Sequence, residues 1–154
     1  SAGGGSSMIR LSGANCSVEG VTFFDPVATG GPVRIYADRC SVKNCVYEDV
    51  GSIMLVLNGN YFEFSGNHII SRSGAGVVVT GTTGGKILDN TFEGTNTSYK
   101  DILCGSDTVS TVLSGNVHDY ADGEVEVYNN NGMQTQLNIE STNSIARGNI
   151  TIST

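Results

Sequence analysis

The chain has 154 residues, of which 38% are hydrophobic and only 15% charged, with 21 glycines and no tryptophan. This suits one domain with a real core and excludes a disordered tail, while apolar runs such as "SIMLVL" are too short to cross a bilayer as a helix. Eight Lys and Arg against fifteen Asp and Glu give a net charge of -7, which argues against nucleic acid and anionic lipid as partners, because clustered cations supply that affinity.

In chain order, the opening "SAGGGSS" reads as a linker or an expression scar over residues 1–7, with the rest, 8–154, forming a single domain. Short apolar alternations then follow one another: "IRL", "VRI", "LVL", "VEV" and "LNI", each bounded by Gly, Asn, Asp or Ser. They predict strands of a few residues between tight turns and leave no stretch with helical periodicity.

Aligned on a recurring asparagine, the strands repeat. The segments "IRLSGANCSVEGVTFFD", "VRIYADRCSVKNCVYED", "LVLNGNYFEFSGNHIIS", "VVTGTTGGKILDNTFEG" and, less cleanly, "CGSDTVSTVLSGNVHDY" each offer three strands and two turns. The equivalent positions Val21, Cys45, Asn67, Asn90 and Asn116 advance by 24, 22, 23 and 26 residues. A period of this length, too short for a helix-containing repeat when three strands must fit, predicts a parallel β-solenoid. A β-sandwich would also show short strands between turns, but gives no reason for the same residue classes to return at the same place.

The asparagines follow from that stack. Asn67, Asn90 and Asn116 fall in the turn before each third strand, and Asn149 is expected to continue the column after an insertion. An amide there satisfies backbone groups at a buried bend, tolerates unusual φ/ψ and stacks on its neighbour one coil away, about 4.8 Å. Val18, Val42, Phe64, Ile87 and Leu113 form one expected core column, Phe23, Tyr47, Ile69 and Phe92 another, and Cys16, Cys40 and Phe62 a third. The four cysteines have no zinc spacing. Cys16 and Cys40 would stack in poor disulfide geometry, so buried free thiols assembled in a reducing compartment are expected. No metal or cofactor site is expected.

Three groups of side chains are candidates for chemistry. The outward column of the first strands is read as Arg10, Arg34, Val56 and Val79, with Tyr36 and Asp38 just beyond Arg34. Stacked guanidinium groups repel unless an anion or acidic neighbours lie near them, so this face suits an acidic glycan with Tyr36 as a stacking platform. An ordinary ion-paired surface would show the same residues. Beyond the third strands, Asp25 and Asp49 are equivalent, with Glu48, Glu93 and Asp119 one position earlier. Stacked carboxyl groups raise each other's pKa, which is what acid/base glycoside cleavage requires, and Glu48, Asp49 and Asp25 are the catalytic candidates, flanked by Arg72. His68 should face outward between Val46 and Thr91 as a sugar contact, and His118 should share the column of Ile69 and Phe92.

After Asn116 the repeat breaks. "VEVYNNNGMQTQLNI" reads as two strands around an Asn-Gly turn, a hairpin or excursion over about 121–136, with Tyr120, Tyr128 and Met133 available to a neighbouring subunit. The end, "NITIST", is an uncovered strand edge, which is expected of a fragment of a larger assembly.

The repeated three-strand coils with Asn67, Asn90 and Asn116 before the third strand resemble the right-handed parallel β-helix, or pectin-lyase-like, superfamily. The resemblance implies an all-β helix of about six coils with an interior Asn ladder. The Gly/Ser/Asn-rich coils and free cysteines are most similar to a bacteriophage tailspike or tail-fibre β-helix domain. That likeness implies a homotrimer at the virion tail or extracellular surface, recognising a bacterial capsule or O-antigen polysaccharide. A depolymerase, hydrolase or lyase, using outward carboxylates, and a purely structural stalk are the alternatives. The acidic calcium ligands of pectate lyases are missing from the first-strand column, and the Asn-Thr-Asp, Asp-Asp and His-Gly motifs of polygalacturonases are missing from the chain, so neither chemistry carries over.

Overall fold

The computed structural model describes residues 8–24, 32–48, 54–70, 76–93, 101–105, 111–118, 125–128 and 150–153, with 54–57, 117–118, 125–128 and 150–153 described by their backbone alone. Among these residues all regular structure is β. The first coil carries β1 (Ile9–Leu11), β2 (Ser17–Glu19) and β3 (Thr22–Phe24), and the second β4 (Val33–Ile35), β5 (Ser41–Lys43) and β6 (Val46–Glu48). β7 (Met54–Leu57), β8 (Glu63–Ser65) and β9 (His68–Ile69) make the third, then β10 (Val77–Thr80), β11 (Lys86–Leu88) and β12 (Thr91–Phe92) the fourth. β13 (Ile102–Cys104), β14 (Val112–Ser114) and β15 (Val117–His118) follow, with β16 (Val125–Tyr128) and β17 (Ile150–Ser153) beyond them.

Every strand pairs in parallel with its equivalent one coil away, giving a first sheet of seven strands, a second of five and a third of five. The chain is a parallel β-solenoid. Its strands are short because a three-sided coil must turn after every few residues, and buried side chains alternate with more exposed ones, as in β2 and β4. The second and third sheets send in Val18, Val42, Phe64, Ile87 and Leu113, and Phe23, Tyr47, Ile69 and Phe92, in the expected columns. Phe23 stacks on Tyr47 at 4.9 Å between ring centroids, and Tyr47 meets Phe64 at 6.2 Å.

The first sheet departs from the expected register. Arg10 lies beside Arg34, but the next partners in the register are Leu55 and Val78, not Val56 and Val79. Val56 instead lies beside Ile35 in the register and Val79 beside Val56, and Ile35 and Val79 are both fully buried. The cause is one extra residue in the turn. Ile35 is followed by two residues before Asp38, whereas Val56 is followed by three before Asn60. Asn58 and Gly81, at φ 59° and 63°, take up the additional residue in the left-handed region. A slip of one residue exchanges the faces of a strand.

The column Cys16, Cys40, Phe62, Gly85 and Thr111 is linked by Ser41 N–H to Cys16 O, Glu63 N–H to Cys40 O, Lys86 N–H to Phe62 O and Val112 N–H to Gly85 O. Gly85 has no side chain there because Phe62 fills its space. A Cβ on Gly85 would lie 2.0 Å from Phe62 Cε1.

The strand within the break in the repeat, β16, is a parallel member of the first sheet, paired with β13 on one side and β17 on the other. It is therefore a solenoid strand rather than an arm of an antiparallel hairpin. The remainder of 121–136, including Met133, lies outside the described residues, as do 1–7 and Tyr120. Asn149 also lies outside them, and the strand that follows it belongs to the first sheet, whereas Asn67, Asn90 and Asn116 each precede a third-sheet strand.

Candidate functional site

In each of the first four coils two turns fall among the described residues. The second turn, before the third strand, contains a column of left-handed residues: Gly20, Asn44, Gly66, Asp89 and Gly115, at φ between 51° and 66°. Gly, Asn and Asp are the residues that accept this conformation. The amide that follows is turned inward. Asn90 Oδ1 accepts hydrogen bonds from Asn67 N and Nδ2, both at 2.9 Å, and Asn67 Nδ2 also donates to Val42 O. Asn116 Oδ1 in turn accepts from Asn90 N and Nδ2 at 3.2 and 2.9 Å, while Asn90 Nδ2 and Asn116 Nδ2 reach Phe64 O and Ile87 O. Asn67 Oδ1 closes the upper end on Cys45 N–H. These groups are spent on holding the bend, which leaves them no part in chemistry at the surface.

The first turn, before the second strand, solves the same problem at the surface. Asp38 Oδ1 accepts from Asn60 N–H at 3.0 Å, and Asn60 Oδ1 accepts from Thr83 N–H at 2.9 Å. The left-handed positions that follow are Asn15, Arg39, Tyr61 and Gly84, at φ 61°, 57°, 55° and 71°. They stack one over another through Asn15 N–H to Asp38 O, Arg39 N–H to Asn60 O and Tyr61 N–H to Thr83 O. Arg39 and Tyr61 project from it into solvent, Tyr61 with 57% of its surface exposed.

Around this turn the structure gathers the expected arginines. Arg10 is exposed and its guanidinium carbon lies 4.2 Å from the centre of the Tyr36 ring, a cation–π contact. Tyr36 is therefore covered on one side by Arg10. Arg34 lies beside Arg10 in the sheet, half-buried and with interactions of its own. Arg39 approaches the Tyr61 ring at 5.9 Å. Sequence reasoning missed this second pair, since nothing in "ADRC" or "GNYF" marks Arg39 and Tyr61 as stacked neighbours until the coils are aligned with the extra residue in place.

On the second sheet, Lys43 Nζ meets Glu63 Oε2 at 2.9 Å and Ser65 Oγ donates to Glu63 Oε1 at 3.0 Å. Hydrogen bonding to Lys43 first, then to Ser65, holds the Glu63 carboxyl below the usual carboxylate range against the opposing effect of burial. Asn44 Nδ2 donates to Glu19 on the same side. These pairings describe a satisfied surface rather than a site.

On the third sheet His68 faces outward between Val46 and Thr91, as expected. Its Nε2 is 2.8 Å from Glu93 Oε1, both side chains being about two-fifths exposed, but the imidazole N–H is not aimed at that oxygen and makes no hydrogen bond of proper geometry. Glu48 is half-buried, with Phe24 as its partner on one side. The bonds Ile70 N–H to Tyr47 O and Glu93 N–H to Ile69 O put Ile70 between Glu48 and Glu93. These two carboxylates are thus two coils apart. Asp25, Asp49, Asp119 and Arg72 lie outside the described residues, so the proposed Glu48, Asp49 and Asp25 cluster is represented there by Glu48 alone. His118 pairs with Phe92 in the expected column.

All four cysteines are free, with Cys40, Cys45 and Cys104 buried and Cys16 partly exposed. Burial pushes the Cys40 and Cys45 thiols up, and that of Cys104 to about 12. Thiols held protonated in this way are poor nucleophiles and poor metal ligands. Among the described residues no group of three or more His, Cys, Asp and Glu side chains could hold a metal ion.

No family model, curated protein or solved structure matches this chain. The functional reading therefore rests on its own surface chemistry.

Proposed function

We propose that this parallel β-solenoid recognises a bacterial surface polysaccharide, as part of a tailspike- or tail-fibre-type β-helix of about six coils assembled as a homotrimer on a virion. The observation that carries the reading is the Arg10 guanidinium over the Tyr36 ring, 4.2 Å from its centre, with Arg34 beside Arg10 in the first sheet. An arginine packed on an aromatic ring has already lost much of its rotational freedom, and its outer N–H groups remain able to form paired hydrogen bonds with a carboxylate or sugar hydroxyls. The outward faces of the sheets leave such side chains displayed at the spacing of the coils, about 4.8 Å, close to the length of a sugar residue along a chain.

The experiment is to present capsular and O-antigen polysaccharides to the protein and follow both binding and cleavage. The expected result is retention of at least one polysaccharide with no new reducing ends and no unsaturated-uronate absorbance, weakened by Arg10→Gln. A second reading, depolymerisation, draws on Glu48 and Glu93 in one outward column with His68 against Glu93. New reducing ends or uronate absorbance lost on Glu48→Gln would establish it in place of simple recognition. A chain that retains none of the polysaccharides is a stalk.

A further inference from the structure

The first turn holds two residues in a conformation that their side chains disfavour. Outside Gly, Asn and Asp, a left-handed φ is uncommon, and for bulky side chains it marks a position worth explaining. At the equivalent positions of neighbouring coils stand Asn15 and Gly84, which occupy the same conformation with little strain. The second turn uses only Gly, Asn and Asp at all five of its left-handed positions. Arg39 and Tyr61 are therefore the exceptions, and they are adjacent.

Their surroundings are arranged to display them. The Cδ1–Cε1 side of the Tyr61 ring rests on Gly84, where an added Cβ would come within 2.6 Å of Cδ1. The missing side chain of Gly84 is the seat of the ring. Arg39 comes from the coil on the other side, its guanidinium 5.9 Å from the ring centre. The carboxylate next to Arg39 in sequence, Asp38, spends one oxygen on Asn60 N–H. Arg10, Arg34 and Tyr36 lie on the first and second coils just before the same turn. Three of the eight cationic side chains of an acidic protein are thus drawn to one edge.

We propose that Arg39 and Tyr61 form a subsite for a carboxylate-bearing sugar residue of the bound polysaccharide, the guanidinium taking the carboxylate and the phenol ring stacking on the pyranose. This rests on the glycan reading and extends it around the turn from the first sheet. A planar guanidinium matches a carboxylate with two parallel hydrogen bonds, which a neutral sugar cannot replace. The ring supplies apolar area at little cost in conformational entropy, being already seated on the backbone of Gly84. The strain at the two positions is what an unliganded turn would shed by using Asn.

The test uses the full chain and three acidic oligosaccharides, hexagalacturonate, hexamannuronate and hexasialic acid, with neutral maltohexaose and dextran as controls, read by calorimetry. At least one acidic probe should bind, and more weakly as salt is raised. Tyr61→Asn and Arg39→Asn should each weaken it by about tenfold, the loss of one good contact, while raising the melting temperature by about 2 °C as the strain is relieved. Arg39→Lys should recover only part of the affinity. Unchanged acidic binding in both Asn variants, with loss in Arg10→Gln or Tyr36→Ala, overturns the subsite and leaves the glycan reading standing. Binding of neutral glycans alone does the same. Failure of every saccharide here and of the polysaccharides above overturns both.

Discussion

The two described turns of a coil face the same physical problem and solve it in opposite places. Both bring the chain around through a left-handed residue, and both leave a backbone N–H that needs an acceptor. At the second turn the acceptor is the buried amide of the next coil, as when Asn90 Oδ1 takes Asn67 N–H. At the first turn it is a half-exposed side chain of the preceding coil, as when Asp38 takes Asn60 N–H and Asn60 takes Thr83 N–H. An inward solution rigidifies the core and spends its polar atoms there. An outward one leaves side chains such as Arg39 and Tyr61 available to a ligand. The difference separates a turn that belongs to stability from one that can belong to recognition.

The sharpest way to break this contrast is to remove one amide from each turn. Asn90→Ala leaves Asn67 N–H and Phe64 O without their partners in a water-excluded bend, and should cost about 3 kcal/mol. Asn60→Ala deprives Thr83 N–H of its acceptor at a site water can reach, and should cost about 1 kcal/mol. Denaturant unfolding of the two variants reads both values, and equal losses would end the distinction between an inner and an outer turn.

Alkaline unfolding tests the dry interior on which the second turn depends. The Cys104 thiol is raised from an ordinary value near 9 to about 12 because burial disfavours its thiolate. A group whose folded pKa lies above its unfolded one stabilises fully below the unfolded value and loses that contribution as pH climbs toward the folded one. Stability should therefore be flat up to about pH 8 and fall by about 1.4 kcal/mol by pH 10 from this thiol. Cys40, Cys45 and Tyr47 are shifted in the same direction by burial. Cys104→Ser would complicate packing, so Cys104→Ala is the control, and its pH curve should fall less steeply than that of the parent. Coincident curves would mean that water reaches the thiol.

The smallest effect sharpens what an inward polar atom is worth when it lacks the partners that Asn90 enjoys. Tyr47 is fully buried in the stack of Phe23 and Phe64, and its hydroxyl has no hydrogen-bond partner among the described residues. Tyr47→Phe keeps the ring and removes the orphan, so stability should rise by about 1 kcal/mol. A loss of stability on thermal or denaturant unfolding would show that the hydroxyl is satisfied.

How much of this was legible depended on whether one residue type did the work. Asn67, Asn90 and Asn116 recur as the same letter, because only a side chain with an acceptor and two donors can bond both the backbone and its neighbours. The core columns of the second and third sheets were equally readable, since the distance from the asparagine is constant from coil to coil. The first turn was not. Asp38, Asn60 and Thr83 occupy equivalent places as three different residues, of which Asp38 and Asn60 accept a backbone N–H through their side chains. Its length also varies, so counting backwards from Asn67 and Asn90 misplaces the first-sheet register by one residue and puts the buried Val79 on the outward face. The candidate site inherited that uncertainty: Arg10, Arg34, Tyr36 and His68 were visible as outward residues, but Arg39 and Tyr61 were not visible as a pair.

By itself the sequence determined the parallel solenoid, because period, strand length and a recurring buried amide are local properties that each coil repeats. Only the tertiary structure decided the register of the first sheet and the company kept by each outward side chain. Those depend on how one coil settles on the next, where a single additional residue at Asn58 or Gly81 exchanges the inside of a strand for its outside.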